Sequence, residues 1–293
     1  MQINNVVEPF GEVNVYPQND GSKLVVASIL MEPNREGSQT GIAIDGSGSM
    51  RKAFGVTGMV STLFASASPN YVKPVAQQMC TYLAEKVDAD GSVDVIYWAV
   101  GPGGAQTEEV GTLKASDAAS YNFAGPKLWG TGTQLLPAIH YFLDKFDKAP
   151  WGIYIFITDG ILDDMDAVKD FSRKLAQDID VGRRLPVKLV LIGMGEEVDR
   201  AQLEELDDLE TGDIDLWDHK MALEMRNLAE IFAEAVDENA RVADHGIIKD
   251  SYGNHVKNYA DTGLPALLKF KLPPGATSFT LEVAGQSISQ PLQ

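Results

Sequence analysis

The sequence predicts an α/β chain: a doubly wound, mostly parallel sheet, with a small β-sandwich formed by the N- and C-terminal segments. Three observations carry this. Strand-length apolar runs alternate with helical stripes from residue 41 to residue 239. One of those runs, Trp151 to Thr158, is apolar along nearly its whole length, as in a parallel strand covered on both faces. Before residue 40 and after residue 242 the pattern changes to short alternating strands separated by turn residues. The expected organisation is therefore 1–39 and 243–293 as strands of one terminal β-sandwich, with an α/β domain over 40–242 inserted between them.

Composition sets bounds on this reading. A chain of 293 residues buries roughly 70–75% of its unfolded surface and folds without disulfides. The single cysteine, Cys80, excludes an intramolecular disulfide and a cysteine-based zinc site. The N-terminus has no basic start followed by an apolar stretch, and no run approaches the ~20 residues needed to span a bilayer. The expectation is a cytoplasmic protein with no membrane partner. Asp and Glu number 42 against 24 Lys and Arg, a formal charge of −18 that repels phosphate backbones, so no nucleic-acid partner is expected.

Taken in order, Glu12–Tyr16 and Lys23–Leu30 alternate around the turn Asn19-Asp20-Gly21-Ser22 and predict a hairpin. Gly41–Ile44 is a short buried strand, and Arg51–Asn70 is an insertion without a clean period, of a length often found in lids or binding loops. Tyr71–Asp88 is an amphipathic helix through Val72, Val75, Met79, Leu83 and Val87. Val93–Val100 is a strand ending in Gly101-Pro102-Gly103-Gly104, a turn that lacks the Gly-Lys-Ser/Thr of a nucleotide-binding loop. Thr107–Leu113 reads as an edge strand, and Leu136–Phe146 as a helix with Pro137 in its first turn. After the strand 151–158 come a helix over 163–178, a strand over 187–192, a helix over 198–209, a short strand Ile214–Trp217 and a long helix over 221–239 whose stripe includes Met225 and Leu228. Ile247–Lys249 with His255–Lys257, and Ala266–Leu272 with Ser278–Val283, predict two further hairpins. The histidines, at 140, 219, 245 and 255, are scattered and make no metal pattern.

The chemistry concentrates in three loops. Asp45-Gly46-Ser47-Gly48-Ser49 places three side-chain oxygens at alternate positions after the first strand of the α/β region. Alone this fits a Gly/Ser turn as well as a cation cradle. A second loop, Trp129-Gly130-Thr131-Gly132-Thr133, precedes a helix, and Asp159 sits at the tip of the most apolar strand, where an unpaired carboxylate is costly. Parallel strands present their C-terminal ends on one rim, so neighbouring strands would bring these oxygens together. Two carboxylates ~4 Å apart repel by about 4 kcal/mol at an effective dielectric near 20, and no Lys or Arg lies in the three loops, though Arg51 follows the first. A divalent cation would offset that repulsion. An oxygen set with few carboxylates suits Mg2+, then Mn2+, with Ca2+ admissible.

Asp45-x-Ser47-x-Ser49, Gly132-Thr133-Gln134-Leu135 and Thr158-Asp159-Gly160 together resemble the metal-ion-dependent adhesion site of von Willebrand factor A (vWA) domains, over about residues 40–240. Val72-Lys73-Pro74-Val75, Asp88–Val95 and Leu203–Leu209 resemble the bacterial vWA subgroup associated with tellurium resistance and stress response. The resemblance implies a vWA/Rossmann-like fold and a non-enzymatic binding module. Ser47, Ser49 and Thr133 would contact the metal, Asp45 and Asp159 would bind directly or through water, and a partner's Asp or Glu would complete the shell. The implied role is a cation-dependent adaptor in an intracellular bacterial system. The competing class is a Mg2+-dependent hydrolase or phosphotransferase built on the strand-end Asp cluster. Against it, position 47 is Ser where a second Asp is needed, and the loops carry no base. Oligomeric state is not readable from the sequence.

Overall fold

The structure is a computed structural model that describes residues 1–31, 34–56, 69–212, 214–260 and 262–293, with side chains described for these except 225–230 and 233. The insertion expected over 51–70 therefore falls largely, at 57–68, outside the described residues, as do the side chains of Met225 and Leu228. None of the described helices is long and apolar enough to cross a membrane.

The strands and helices begin with β1 (Phe10–Pro17), β2 (Lys23–Ile29), β3 (Ser38–Asp45), α1 (Val72–Lys86), β4 (Ser92–Val100) and β5 (Gln106–Lys114). They continue with α2 (Ala115–Ala118), α3 (Leu136–Lys145), β6 (Trp151–Thr158), α4 (Met165–Asp180), β7 (Val187–Met194), α5 (Arg200–Asp207), β8 (Trp217–Ala222) and α6 (Met225–Asn239). The chain ends with β9 (Arg241–Ala243), β10 (Ile247–Asp250), β11 (His255–Asn258), β12 (Leu264–Pro265), β13 (Leu267–Leu272), β14 (Ser278–Val283) and β15 (Gln286–Pro291). Two compact units result: Glu36–Gly212 with Leu216–Ala235, and Met1–Arg35 with Asp213–Asp215 and Val236–Gln293.

The larger unit holds a six-stranded sheet in the order β5-β4-β3-β6-β7-β8. Its β3–β4, β3–β6, β6–β7 and β7–β8 pairings are parallel, and edge strand β5 runs antiparallel to β4. All eight residues of β6 are buried, which accounts for its unbroken apolar sequence. Phe142 of α3 stacks on Tyr154 and meets Phe156 edge-on, both of β6. It also lies against Gly41, where an added Cβ would come within 2.4 Å of the ring. Glycine at 41 thus lets α3 seat directly on β3. Strand β8 starts at Trp217, where the expected strand ended, and continues through Asp218-His219-Lys220. A polar edge strand of this kind is hidden from a reading that looks for apolar runs.

The smaller unit contains a three-stranded sheet, β1-β2-β13, a four-stranded sheet, β11-β10-β14-β15, and the pair β12-β9, all antiparallel. Alternation selects the inward face: Leu268, Phe270 and Leu272 of β13 and Phe279, Leu281 and Val283 of β14 are buried in one apolar cluster. Phe279 meets Phe10 and Phe270 edge-on at ring separations of 5.2 and 5.0 Å. The expected hairpin between β13 and β14 does not form. Instead β13 pairs with β2, while β14 pairs with β10 and β15. Pro273 and Pro274 have no N–H with which to extend a ladder, and the connection carries the chain from one sheet to the other.

The expected fold class is corrected for the chain as a whole. Among the described residues strand outweighs helix, and several of the sheets are small and antiparallel. All the strands from β9 onward pair antiparallel, so the chain ends supply nine of the fifteen named strands and are no minor annex to a parallel sheet.

Because Phe279 is fully buried at the centre of that cluster, Phe279→Ala is expected to destabilise the smaller unit by about 3–5 kcal/mol, measured by urea unfolding. A loss below about 1 kcal/mol would mean that the two sheets do not depend on this contact.

Candidate metal centre

The three loops meet because of strand order. Residues of β3 and β6 pair in parallel up to Ile44 and Ile157, so Asp45 ends beside Thr158, with Asp159 one residue further on. The loop before α3 is tied to the first loop by two backbone bonds: Gly48 N–H to Gly130 O and Gly130 N–H to Gly46 O, each 3.0 Å. Glycine is required at this crossing. A Cβ on Gly130 would stand 1.8 Å from Ala99 O, and one on Gly46 would stand 2.6 Å from Val100 Cγ1.

Four of the five expected ligands lie on one hydrogen-bonded chain. The Ser47 N–H donates to Asp45 Oδ1 at 2.7 Å. Ser47 Oγ and Ser49 Oγ are 2.9 Å apart, and Ser49 Oγ donates to Asp159 Oδ1 at 2.7 Å. Thr158 Oγ1 donates to the other Asp45 oxygen at 2.7 Å. Thr133 sits against the same rim, since a Cβ on Gly160 would lie 3.4 Å from Thr133 Oγ1. No described residue hydrogen-bonds that hydroxyl. Thr131 is different: its Oγ1 accepts the Gly103 N–H at 2.9 Å and ties two loops together.

Asp45 is fully buried. Burial pushes its carboxyl up to about 6; bonds from Ser47 and Thr158 pull the other way, and the charge of Asp159 adds to the rise. Burial also raises Asp159, opposed by the Ser49 hydroxyl and reinforced by the charge of Glu197. Among the described residues no Lys or Arg pairs with either carboxylate, and the Arg51 guanidinium lies over the Trp129 ring, 5.5 Å from its centroid. The donor set is therefore three hydroxyls and two carboxylates, all hard oxygens, with uncompensated negative charge. Such a set fits a small divalent cation and offers nothing to a soft one.

Sequence reasoning missed several participants. Thr158 belongs to the motif but is given no role by it, although its hydroxyl holds Asp45. Asp163 and Asp164 read as ordinary acidic residues at a helix start, yet their carboxylates accept N–H groups from the Thr133 loop. Elsewhere, ligand-type atoms of Asp207, Asp218 and His219 lie within 4.8 Å of one another, with His219 Nδ1 3.1 Å from Asp207 Oδ2. Spacing along the chain gives no sign of that group.

No family model and no curated protein matches the chain. Solved structures do. One is the PilB minor pilin from Streptococcus sanguinis, at 11% identity and TM-score 0.45, covering 76% of each chain. Another is the pilus adhesin SpaC from Lactobacillus rhamnosus GG, at 12% identity and TM-score 0.44, where 98% of this chain covers 48% of that one. Its open conformation gives 12% and 0.43. This chain thus spans about half the length of SpaC. By their names the matched proteins are a minor pilin and a pilus adhesin, and no vWA domain is among these three. The identification with the tellurium-resistance and stress-response vWA subgroup is accordingly withdrawn, together with the adhesion-site label, the intracellular adaptor role and the cytoplasmic location. At these scores the pilus role itself stays with the matched proteins.

Gly130 carries the crossing of the loops, so Gly130→Ala is expected to lower stability by roughly 1–3 kcal/mol, read from thermal unfolding. An unchanged melting temperature would mean that the first and second loops are not held as described.

Proposed function

We propose that the rim formed by Asp45, Ser47, Ser49, Thr133 and Asp159 binds one divalent cation, Mg2+ or Mn2+ in preference to Ca2+, and that the protein acts by binding and not by catalysis. The observation that carries this is the continuous chain from buried Asp45 through Ser47 and Ser49 to Asp159, with no positive side chain paired to either carboxylate among the described residues. Ser47, Ser49 and Thr133 would face the ion, and Asp45 and Asp159 would hold it directly or through water. With so few charged ligands the ion keeps much of its charge and accepts a further oxygen from outside. An Asp or Glu of a binding partner has the right chemistry. With a net charge of −18 the protein repels acidic partners at long range, so such recognition depends on the ion reversing the charge locally.

A non-enzymatic reading is supported by the donor set. The Ser47 and Ser49 hydroxyls are engaged with each other and with Asp159, and no His or Lys hydrogen-bonds Ser47, Ser49 or Thr133 as a base among the described residues. When bound, the cation would supply charge compensation for the buried carboxylates and one point of attachment.

Thermal unfolding with and without Mg2+ tests the site, because a ligand at ~100 times its Kd adds about 2.7 kcal/mol. Wild type is expected to shift upward. Asp45→Asn is expected to be insensitive to Mg2+, and in chelator above pH 6 no less stable than wild type, since it removes a buried charge. No Mg2+ or Mn2+ shift in wild type would sink the proposal.

The pH dependence has a definite sign. Asp45 is raised from 3.8 to about 6 in the fold, so between those values the folded state binds more protons than the unfolded state. Without cation, this group's contribution to stability falls as pH rises from about 4 to about 6 and is flat above. Cation affinity runs the other way, rising through pH 6 as the carboxylate ionises. Calorimetric titration with Mg2+ at pH 5 and pH 7 would show the stronger binding at pH 7.

A further inference from the structure

Two carboxylates next to the proposed site are spent on an unusual task. Asp164 occupies the N-cap position of α4, yet its side chain makes no hydrogen bond to that helix. A capping bond there is ordinarily worth about 1 kcal/mol. Its two oxygens instead accept the N–H groups of Leu135 and Leu136, each at 2.9 Å, and so satisfy the start of α3, whose own N-cap residue, Leu135, offers no capping side chain. Asp163 does the same one step earlier. Its Oδ2 accepts the Thr133 N–H at 2.8 Å, and its own N–H donates to Thr133 O at 2.9 Å. A Cβ at Gly132 would sit 2.7 Å from Asp163 Oδ2, so a glycine is needed for the contact. Four bonds thus clasp the Thr133 loop to the segment that begins with Asp159.

We infer that Asp163 and Asp164 are positioning residues for the cation site, holding Thr133 at a fixed distance from Asp159 through backbone N–H groups. The inference rests on the cation site proposed above. Thr133 is the one expected ligand not hydrogen-bonded to the other four; its loop is anchored on one side through Gly130, Thr131 and Gln134, and the clasp ties Thr133 itself to the segment that carries Asp159. Side chains that orient metal ligands typically change affinity by 10–100-fold when removed.

The test is calorimetric titration of the full chain with Mn2+, well below its melting transition, together with the melting temperature in chelator. Asp163→Ala, at an exposed position, and the double variant Asp163→Ala/Asp164→Ala are expected to weaken Mn2+ binding by about 10-fold and towards 100-fold, respectively. Asp163→Asn retains an acceptor oxygen for the Thr133 N–H and is expected to recover most of the affinity. Wild-type affinity in the alanine variants, with only a lower melting temperature, would make the pair structural and overturn the inference. Equal losses in Asp163→Asn and Asp163→Ala would overturn it too, by assigning the effect to charge. If wild type itself takes no Mn2+, the cation site fails and this inference with it.

Discussion

A fully buried carboxylate at the tip of a strand sets the terms for the rest of the site. Asp45 has no exposure to solvent, and taking an ionised carboxylate out of water is expensive unless partners replace the lost hydration. Two partners are present, the Ser47 N–H and the Thr158 hydroxyl, and they do not suffice: burial still dominates and the carboxyl stays well above its ordinary range. The surrounding loops follow from this. Glycines at 46 and 130 let two backbones cross over the strand end, and the Ser47 N–H followed by the hydroxyls of Ser47 and Ser49 carries the hydrogen-bonded chain from Asp45 to Asp159.

Two other buried acids show what a carboxylate looks like when the protein itself satisfies it. Asp94 receives Lys145 Nζ at 2.7 Å, the Tyr141 hydroxyl at 3.0 Å and the Thr112 hydroxyl at 3.2 Å. Asp88 accepts the N–H groups of Thr40, Asp90 and Ser92 and the Thr40 hydroxyl, stitching the N-terminal end of β3 to the start of β4. One is neutralised by a lysine; the other is wrapped in donors, although burial still holds its carboxyl above the ordinary range. Among the described residues Asp45 and Asp159 have no lysine and fewer donors, and they share one rim. Two such acids side by side, set against the lysine-paired Asp94, are the physical case for a cation.

Much of this was legible in the sequence where chemistry and periodicity coincide. Trp151–Thr158 could be read as a central strand because both its faces are covered, and Asp159 stood out because it terminates such a strand. Asp45, Ser47 and Ser49 could be read from their alternation. Other features depend on contacts that leave no local trace. Nothing in Leu267–Leu272 and Ser278–Val283 says that they join different sheets, since alternation fixes the buried face and not the partner strand. Strand β8 is polar because it lies at an edge. Asp163 and Asp164 imitate a helix start while serving another helix, and Asp207 meets His219 only because α5 returns beside β8. The motif resemblance over residues 40–240 picks out oxygens that the loops bring to one rim, while the family, the compartment and the fold class that it implied are not upheld.

The central claim is that a divalent cation sits on this rim. A crystal grown with Mn2+ and measured at the manganese edge tests it most directly. The account predicts an anomalous peak at roughly 2.1 Å from Ser47 Oγ and Ser49 Oγ, on the side of Thr133 and Asp159. A rim with no peak, or manganese found only beside Asp207, Asp218 and His219, would contradict it.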